Sequence, residues 1–311
     1  MYSLRTSKKR ALKVTQENAA YKSSIYAEYF RHLALTSDTH GVDKLAKPHE
    51  IVVSLTSYPA RINDVALTIE SLFQQSLKAN RIVLWLSRDN FPDQYESLPN
   101  ILRKQCDRGL EVVFVEGDIG CYKKIIYAIE RFTDSLILTV DDDVLYPVDL
   151  IDRLYRDYLS EPDVVHCHRG HLMRFNYFGR IKPYTSWPKS VQTPEACLNI
   201  FPTGMGGVLY FPGCFHPDVT DIDLFMKLAP SADDVWLKAM TLLQGVKCKV
   251  SHNDRPWKTR FLTIQGSQGR ALKSINRSKG TGNDSKIRSV LTHYGLWNEL
   301  HTKMKGLENN G

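Results

Sequence analysis

Leu136-Ile137-Leu138-Thr139-Val140-Asp141-Asp142-Asp143-Val144-Leu145-Tyr146-Pro147 is the stretch that decides the fold. The run from Leu136 to Val140 is apolar and partly β-branched, the composition of a parallel strand buried on both faces. Three carboxylates follow without a break. Adjacent like charges beside an apolar strand are unfavourable unless something cationic stands nearby. In an extended run side chains alternate, so Asp141 and Asp143 are expected on one side and Asp142 on the other. Two carboxylates sharing a side at a strand's carboxyl end make a hard-oxygen site for Mg²⁺ or Mn²⁺. A solvated acidic turn or the first turn of a helix would also place Asp here.

Working outward, residues 51–55, 81–86 and 110–115 are further apolar runs that read as strands. Asn63 or Asp64 can cap a helix whose inward face carries Val65, Ile69, Leu72 and Phe73. Tyr122, Ile126 and Ile129 mark another helix. Strands alternating with helices through short links predict an α/β fold with a doubly wound, mostly parallel sheet, helices on both faces and ligands at the strands' carboxyl ends. The second half is less regular. Residues 164–168, 206–211 and 247–251 read as strands and 233–244 as a helix, with Trp236, Met240 and Leu243 on one face. Between Leu172 and Pro202 lies a long aromatic segment interrupted by prolines. Residues 1–48 are polar, with a helical patch from Tyr21 to Leu35 in which Tyr26, Tyr29, Phe30 and Leu33 share a face. They read as an extension packed on the domain in preference to lying on a membrane.

A chain of 311 residues with 42% apolar and 24% charged side chains has enough material for a substantial core. No window approaches the ~18 uninterrupted apolar residues of a membrane span. The N-terminus opens Met1-Tyr2-Ser3-Leu4-Arg5 and no apolar stretch follows, so the expectation is a soluble chain without a secretory signal. Six cysteines without a C-x-x-C pair suit reduced thiols in a cytoplasmic protein. The formal charge of +7 is dispersed, the longest basic run being Lys8-Lys9-Arg10, and no nucleic-acid-binding motif accompanies it. A basic cofactor pocket accounts for the charge without nucleic acid.

Two stretches carry a family resemblance. Val53-Ser54-Leu55-Thr56-Ser57-Tyr58-Pro59-Ala60-Arg61 and Thr139-Val140-Asp141-Asp142-Asp143-Val144-Leu145-Tyr146-Pro147 resemble the opening and the centre of a group of bacterial, family-2-like glycosyltransferases of the glycosyltransferase-A fold. The resemblance covers residues 50–295. It implies a catalytic domain (49–295) made of a nucleotide-sugar-binding half (49–147) and a mixed acceptor-side half (148–265), and leaves outside it the N-terminal helical extension (1–48) and a tail (296–311). Thr56, Ser57, Tyr58 and Arg61 would meet base and ribose, and Asp89 the nucleoside. Lys123 and Lys124, at the start of a helix, would neutralise the diphosphate beside Asp142. Metal ligation would fall to Asp141, Asp143 and His252. Gly204, Gly206 and Gly207 match the glycine-bearing acceptor loop of that fold. Apart from the resemblance, Arg169 and His171 read as substrate-pocket residues, and the segment 175–201, with Tyr177, Phe178, Tyr184 and Trp187, as an acceptor-facing aromatic surface, since aromatic faces suit sugar rings. Ala232-Asp233-Asp234 resembles an x-E-D element with Asp233 replacing the glutamate, which makes Asp234 the expected base and leaves Asp233 as the other candidate. Asp at a helix start is a favoured cap in any case.

The chemistry implied is transfer from a nucleotide-diphosphate sugar, a UDP-sugar by analogy, to a glycan or glycolipid acceptor in surface-polysaccharide assembly. A divalent cation at Asp141 or Asp143 would stabilise the leaving diphosphate, Asp234 would take the acceptor's proton, and one base with in-line attack would invert the anomeric centre. The expected location is cytoplasmic, with the inner face of a membrane as a candidate contact. The alternatives are a sugar-phosphate nucleotidyltransferase, against which the glycine-poor loop Thr56-Ser57-Tyr58-Pro59 argues, and a non-catalytic nucleotide- or carbohydrate-binding protein. His166-Cys167-His168 invites a zinc reading, but no C-x-x-C partner completes a site. Asn283-Asp284 reads as an Asx-type turn.

Overall fold

The computed structural model describes residues 2–45, 47–266 and 282–296, with side chains described from Glu17 onward. The expected tail, 296–311, lies outside these residues except for Leu296. Helix α1 (Tyr2–Thr36) opens the chain, and the alternating half follows as β1 (Ile51–Thr56), α2 (Val65–Phe73), β2 (Arg81–Ser87), α3 (Asn100–Asp107), β3 (Leu110–Val115), α4 (Lys123–Arg131) and β4 (Leu136–Thr139). Next come β5 (Val144–Leu145), α5 (Leu150–Ser160), β6 (Val164–Cys167), β7 (Gly170–Leu172), β8 (Ile200–Pro202) and β9 (Val208–Tyr210). The last described elements are α6 (Ile222–Leu228), α7 (Asp233–Leu243), β10 (Lys247–Val250), α8 (Trp257–Arg260), β11 (Leu262–Thr263) and α9 (Asn283–His293).

Seven strands form one sheet in the order β10-β6-β9-β4-β1-β2-β3. All neighbours are parallel except β9, which runs antiparallel to both β4 and β6. This is the expected α/β layout, mostly parallel with a mixed second half. Alternate strand residues feed two cores. Val52, Val83 and Ile137 pack with Ile126 of α4 and Trp236 of α7, while Val53, Ile82 and Leu138 pack with Ile69 of α2 and Leu154 of α5. Burial on both faces is why these strands read as unbroken apolar runs.

From β1 the chain runs outward through β2 and β3, then returns to place β4 on the other side of β1. Strand order reverses between β1 and β4, the place where the loops leaving the carboxyl ends of such sheets ordinarily diverge to receive a ligand. Those loops carry Ser57 to Arg61 and the acidic triplet.

Some details depart from expectation. Strand β4 ends at Thr139 and Asp142-Asp143 form a turn, so the triplet does not keep a strand's alternation. Helix α1 starts far before Tyr21 and buries Phe30 and Ala34, leaving Tyr26 and Tyr29 exposed. It is seated through Phe30 against Leu67, Leu145 and Leu262, and through a hydrogen bond from Ser23 Oγ to the Thr263 carbonyl (2.6 Å). Asn283-Asp284 opens α9 rather than closing a turn on itself, and Asp284 Oδ1 accepts the Tyr184 N–H (2.6 Å). All six cysteines are free thiols, and among the described residues no helix is long and apolar enough to cross a membrane.

Candidate active site

The loop after β1 and the loop after β4 are tied together by charge. Asp142 accepts from Ser57 Oγ (2.7 Å) and from Arg61 Nη1 (2.6 Å), while Arg61 Nη2 reaches Asp143 Oδ2 at 3.2 Å. Tyr58 lies under the Arg61 guanidinium, 5.6 Å from ring centroid to carbon. Burial raises the Asp142 pKa against the pull of Arg61 and Ser57. Asp142 and Arg61, expected at the nucleotide, spend their charge on each other. Thr56 Oγ1 donates to the Trp85 carbonyl (2.8 Å), and Asp89 is exposed beyond the carboxyl end of β2.

Lys124, in the first turn of α4, is the hub of the site. Its Nζ lies 2.8 Å from Asp141 Oδ1 and 3.0 Å from Asp233 Oδ2. Burial works against its charge, but Asp141, Asp233 and Asp234 outweigh that and hold its pKa well above an ordinary lysine's. Asp234 Oδ1 accepts the Gly204 N–H at 3.0 Å. A Cβ on Gly204 would stand 3.1 Å from both Asp141 Oδ1 and Lys124 Nζ and 3.4 Å from Asp234 Oδ1, so a side chain here would crowd the charged centre. Lys123 does not join. It pairs with Asp118, which also accepts from Asn90 Nδ2 (2.7 Å), a correction to its expected place at the diphosphate. The turn Gly120–Tyr122, with Gly120 at φ 63°, leads into α4, whose first two residues are both buried but point to different partners, Lys124 to Asp141 and Lys123 to Asp118.

No family model matches this chain. No curated protein matches it either. Solved structures do match, at low identity. They include the mannosyltransferase PcManGT from Pyrobaculum calidifontis in complex with GDP-Man and Mn²⁺ (13% identity, 78% of this chain and 68% of that one, TM-score 0.39). The 4-diphosphocytidyl-2C-methyl-D-erythritol synthase of Anaerococcus prevotii also matches (12%, 80% and 100%, 0.43), as does a fragment of S. aureus TarS in complex with UDP (14%, 66% and 58%, 0.43). At these identities and scores the likeness does not decide an activity.

Five carboxylates, Asp141, Asp142, Asp143, Asp233 and Asp234, converge on two cations, Arg61 and Lys124. The surplus negative charge shows in the titration of the groups. Burial and then Asp141 push Asp143 up to about 6, and burial and then Asp233 push Asp234 up to about 7. Asp141 keeps 31% of its side chain open to solvent. Hard oxygens in unneutralised excess at an open edge fit a divalent cation held by Asp141 and Asp143. Among the described residues no three His, Cys, Asp or Glu side chains are gathered as a ready cage, so the remaining ligands would come from water or a bound phosphate. His252, the expected third ligand, is 79% exposed and faces Asp254 (3.2 Å), so the structure does not bring it to the triplet.

A carboxyl whose folded pKa exceeds its unfolded value binds a proton in the native state over a pH range where the unfolded chain has lost it. Asp143 and Asp234 therefore favour the metal-free native state at acid pH, and that contribution is lost as pH rises from about 4 through about 6 and 7. A divalent cation competes with those protons. Thermal melts should show a Mn²⁺-induced stabilisation that is small at pH 5 and grows through pH 7.5. A Mn²⁺ effect independent of pH over that range would separate the ion from these carboxylates.

The second half of the chain supplies structure around this centre. A Cβ on Gly206 would lie 2.7 Å from Arg169 Cβ, and Gly207 holds φ at 77°. Arg169 reaches Thr203 Oγ1 (3.1 Å) and Ser190 Oγ (3.3 Å) and lies over the Trp257 ring. His171 is buried and accepts the Ser190 N–H through Nδ1 (3.2 Å), its pKa pushed down to about 3 by burial, Arg169 and Lys189. Trp187, expected to face the acceptor, packs instead against Tyr184 and Phe201 and donates Nε1–H to the Lys182 carbonyl (2.8 Å). Its ring is too apolar to leave that cluster without exposing the core. His166 and His168 hydrogen-bond to the Glu161 and Leu150 carbonyls, each on a different neighbour, which leaves no zinc pair. Two site residues escaped the sequence reading: Tyr146, whose hydroxyl accepts the Asp141 N–H (2.8 Å), and Cys121, whose thiol is raised well above normal by burial and by Asp233. Tyr146 stood inside the quoted motif, whereas nothing local marked Cys121.

Proposed function

We propose that this protein is a metal-dependent glycosyltransferase that moves a sugar from a nucleotide-diphosphate donor, a UDP-sugar by preference, to a glycan or glycolipid hydroxyl with inversion. The observation that carries this reading is the convergence of Asp141, Lys124, Asp233, Asp234 and the Gly204 backbone at the carboxyl ends of β1 and β4. When bound at Asp141 and Asp143, a divalent cation would supply charge stabilisation for the departing diphosphate. Lys124, already charged and buried, adds a fixed positive group that needs no reorganisation. Asp234, raised to about 7 and anchored by the Gly204 N–H, takes the acceptor proton. Asp233 stays paired with Lys124 and holds it in place.

A nucleotidyltransferase would need a glycine-rich, cationic loop after β1. Here that loop is Thr56-Ser57-Tyr58-Pro59, and Arg61 is consumed by Asp142 and Asp143. Thermal melts with nucleoside diphosphates and nucleotide sugars, with and without Mn²⁺, test the proposal. One nucleotide family should stabilise the wild type only with metal, by about 2.7 kcal/mol at a hundredfold excess over Kd. Asp141→Ala/Asp143→Ala should abolish that response. Absence of any nucleotide response in the wild type would sink the assignment.

A further inference from the structure

Residues 174–182 form a braced hairpin with no described residue packed on its tip. Phe175 bridges Ile181, Lys182 N donates to the Arg174 carbonyl (2.7 Å), and Asn176 N donates to the Arg180 carbonyl (2.8 Å). Asn176 Oδ1 accepts from both Phe178 N (3.0 Å) and Arg180 N (2.9 Å), and Gly179 closes the turn at φ 74°. The base is anchored where Phe175 and Ile181 meet the core and where Trp187 bonds the Lys182 carbonyl. The tip itself is two adjacent aromatic rings, Tyr177 at 93% and Phe178 at 81% exposure, in edge contact with each other. A rigid loop that holds two large apolar rings in water marks an interaction site.

Charge selects the partner. No Asp or Glu occurs between Asp163 and Glu195, whereas Arg174, Arg180 and Lys182 are exposed along the hairpin. Asp284 of α9, which reaches this segment at Tyr184, accepts the Tyr184 N–H. An exposed aromatic tip flanked by cations in a stretch of chain without acids is suited to a lipid interface, where rings sit among the headgroups and Arg and Lys meet anionic phosphates. A glycan would ask instead for a concave surface with hydrogen-bonding partners beside the rings.

We infer that the hairpin tip Tyr177-Phe178 inserts into the headgroup layer of an anionic membrane, with Arg174, Arg180 and Lys182 binding lipid phosphates. The inference is independent of the glycosyl-transfer reading and is tested without donor or metal. The full chain would be sedimented with phosphatidylcholine vesicles, with and without about one third phosphatidylglycerol. Binding is expected only to the anionic vesicles, and weaker at 1 M salt, where the screening length shrinks to about 3 Å. Tyr177→Ser/Phe178→Ser should reduce partitioning at least about tenfold. Removing the cations one at a time as Gln should cost about fivefold each. The substituted side chains are exposed, so melting temperatures should match the wild type. Helix α1 also exposes Tyr21, Ile25 and Tyr29, and Tyr21→Ser/Ile25→Ser serves as the comparison. The hairpin assignment is overturned if the wild type ignores anionic vesicles, or if only the α1 variant loses binding.

Discussion

Asp234→Asn should lower turnover by about 10²–10⁴-fold while nucleotide binding stays near the wild-type level. The substitution is chosen to separate proton transfer from architecture. Asparagine retains a carbonyl oxygen that can accept the Gly204 N–H, so the turn that brings backbone into the centre keeps its anchor. What disappears is the basic oxygen. Asp233→Asn should behave differently, because Asp233 faces Lys124 at 3.0 Å and its removal frees a buried lysine to move. For that variant the expected loss is smaller in kcat and larger in donor affinity. Initial rates at saturating donor, set beside thermal-shift titrations with the nucleotide, distinguish the two. In the wild type the acid limb of the kcat/KM profile reports the coupled carboxylate cluster rather than one residue. That limb should flatten in Asp234→Asn. If Asp234→Asn keeps more than about a tenth of wild-type turnover and Asp233→Asn is dead, the roles of the two residues are exchanged.

Much of this centre could be read from residues alone, and the parts that could not share a physical cause. β1, β2 and β4 were legible because burial on both faces keeps their runs mostly apolar, and β3 because its β-branched and aromatic residues outnumber Glu111. The triplet was legible because charge at a strand end asks for compensation. Which cation supplies that compensation was not. Lys123 and Lys124 are neighbours in sequence, about 100° apart around a helix, and only the phase of the folded helix sends Lys124 to Asp141 and Lys123 to Asp118. Arg61 could equally have met a ligand, and its choice of Asp142 and Asp143 depends on β1 lying beside β4, a pairing that no local pattern announces. Helix α3 was missed because only Leu102 and Gln105 are buried along it, too few for a period to show. On α1 Phe30 and Leu33 pack as expected while Tyr26 and Tyr29 stay exposed, because tyrosine packs and solvates almost equally well and gives no reliable direction.

Arg108→Ala should destabilise the fold by about 3–5 kcal/mol, as much as emptying a core aromatic site. Glu70, in the middle of α2, is fully buried and would be forbidding there without compensation. It receives compensation on both oxygens. Arg108 Nη1 and Nη2 bind Oε2 and Oε1 at 2.8 and 2.9 Å, Gln105 Nε2 adds a bond to Oε2 (3.1 Å), and Gln74 Nε2 one to Oε1 (2.9 Å). The same guanidinium donates from Nε to the Thr39 carbonyl (2.8 Å) and lies over the Phe73 ring, so it joins α2, the end of α3 and the segment following α1. Truncating Arg108 strands a carboxylate in the core and leaves the Thr39 carbonyl without this donor, two losses that surface ion pairs such as Arg88–Glu116 do not incur. Glu70→Leu/Arg108→Met should therefore recover much of the stability lost in Arg108→Ala, because an apolar pair leaves no charge behind. It should fall short of wild type by about the worth of the Thr39 bond, roughly 1 kcal/mol. Urea unfolding of the two variants decides the point. A loss under about 1 kcal/mol in Arg108→Ala would show that water reaches Glu70, and a double variant no better than the single one would place the cost in packing rather than in the stranded charge.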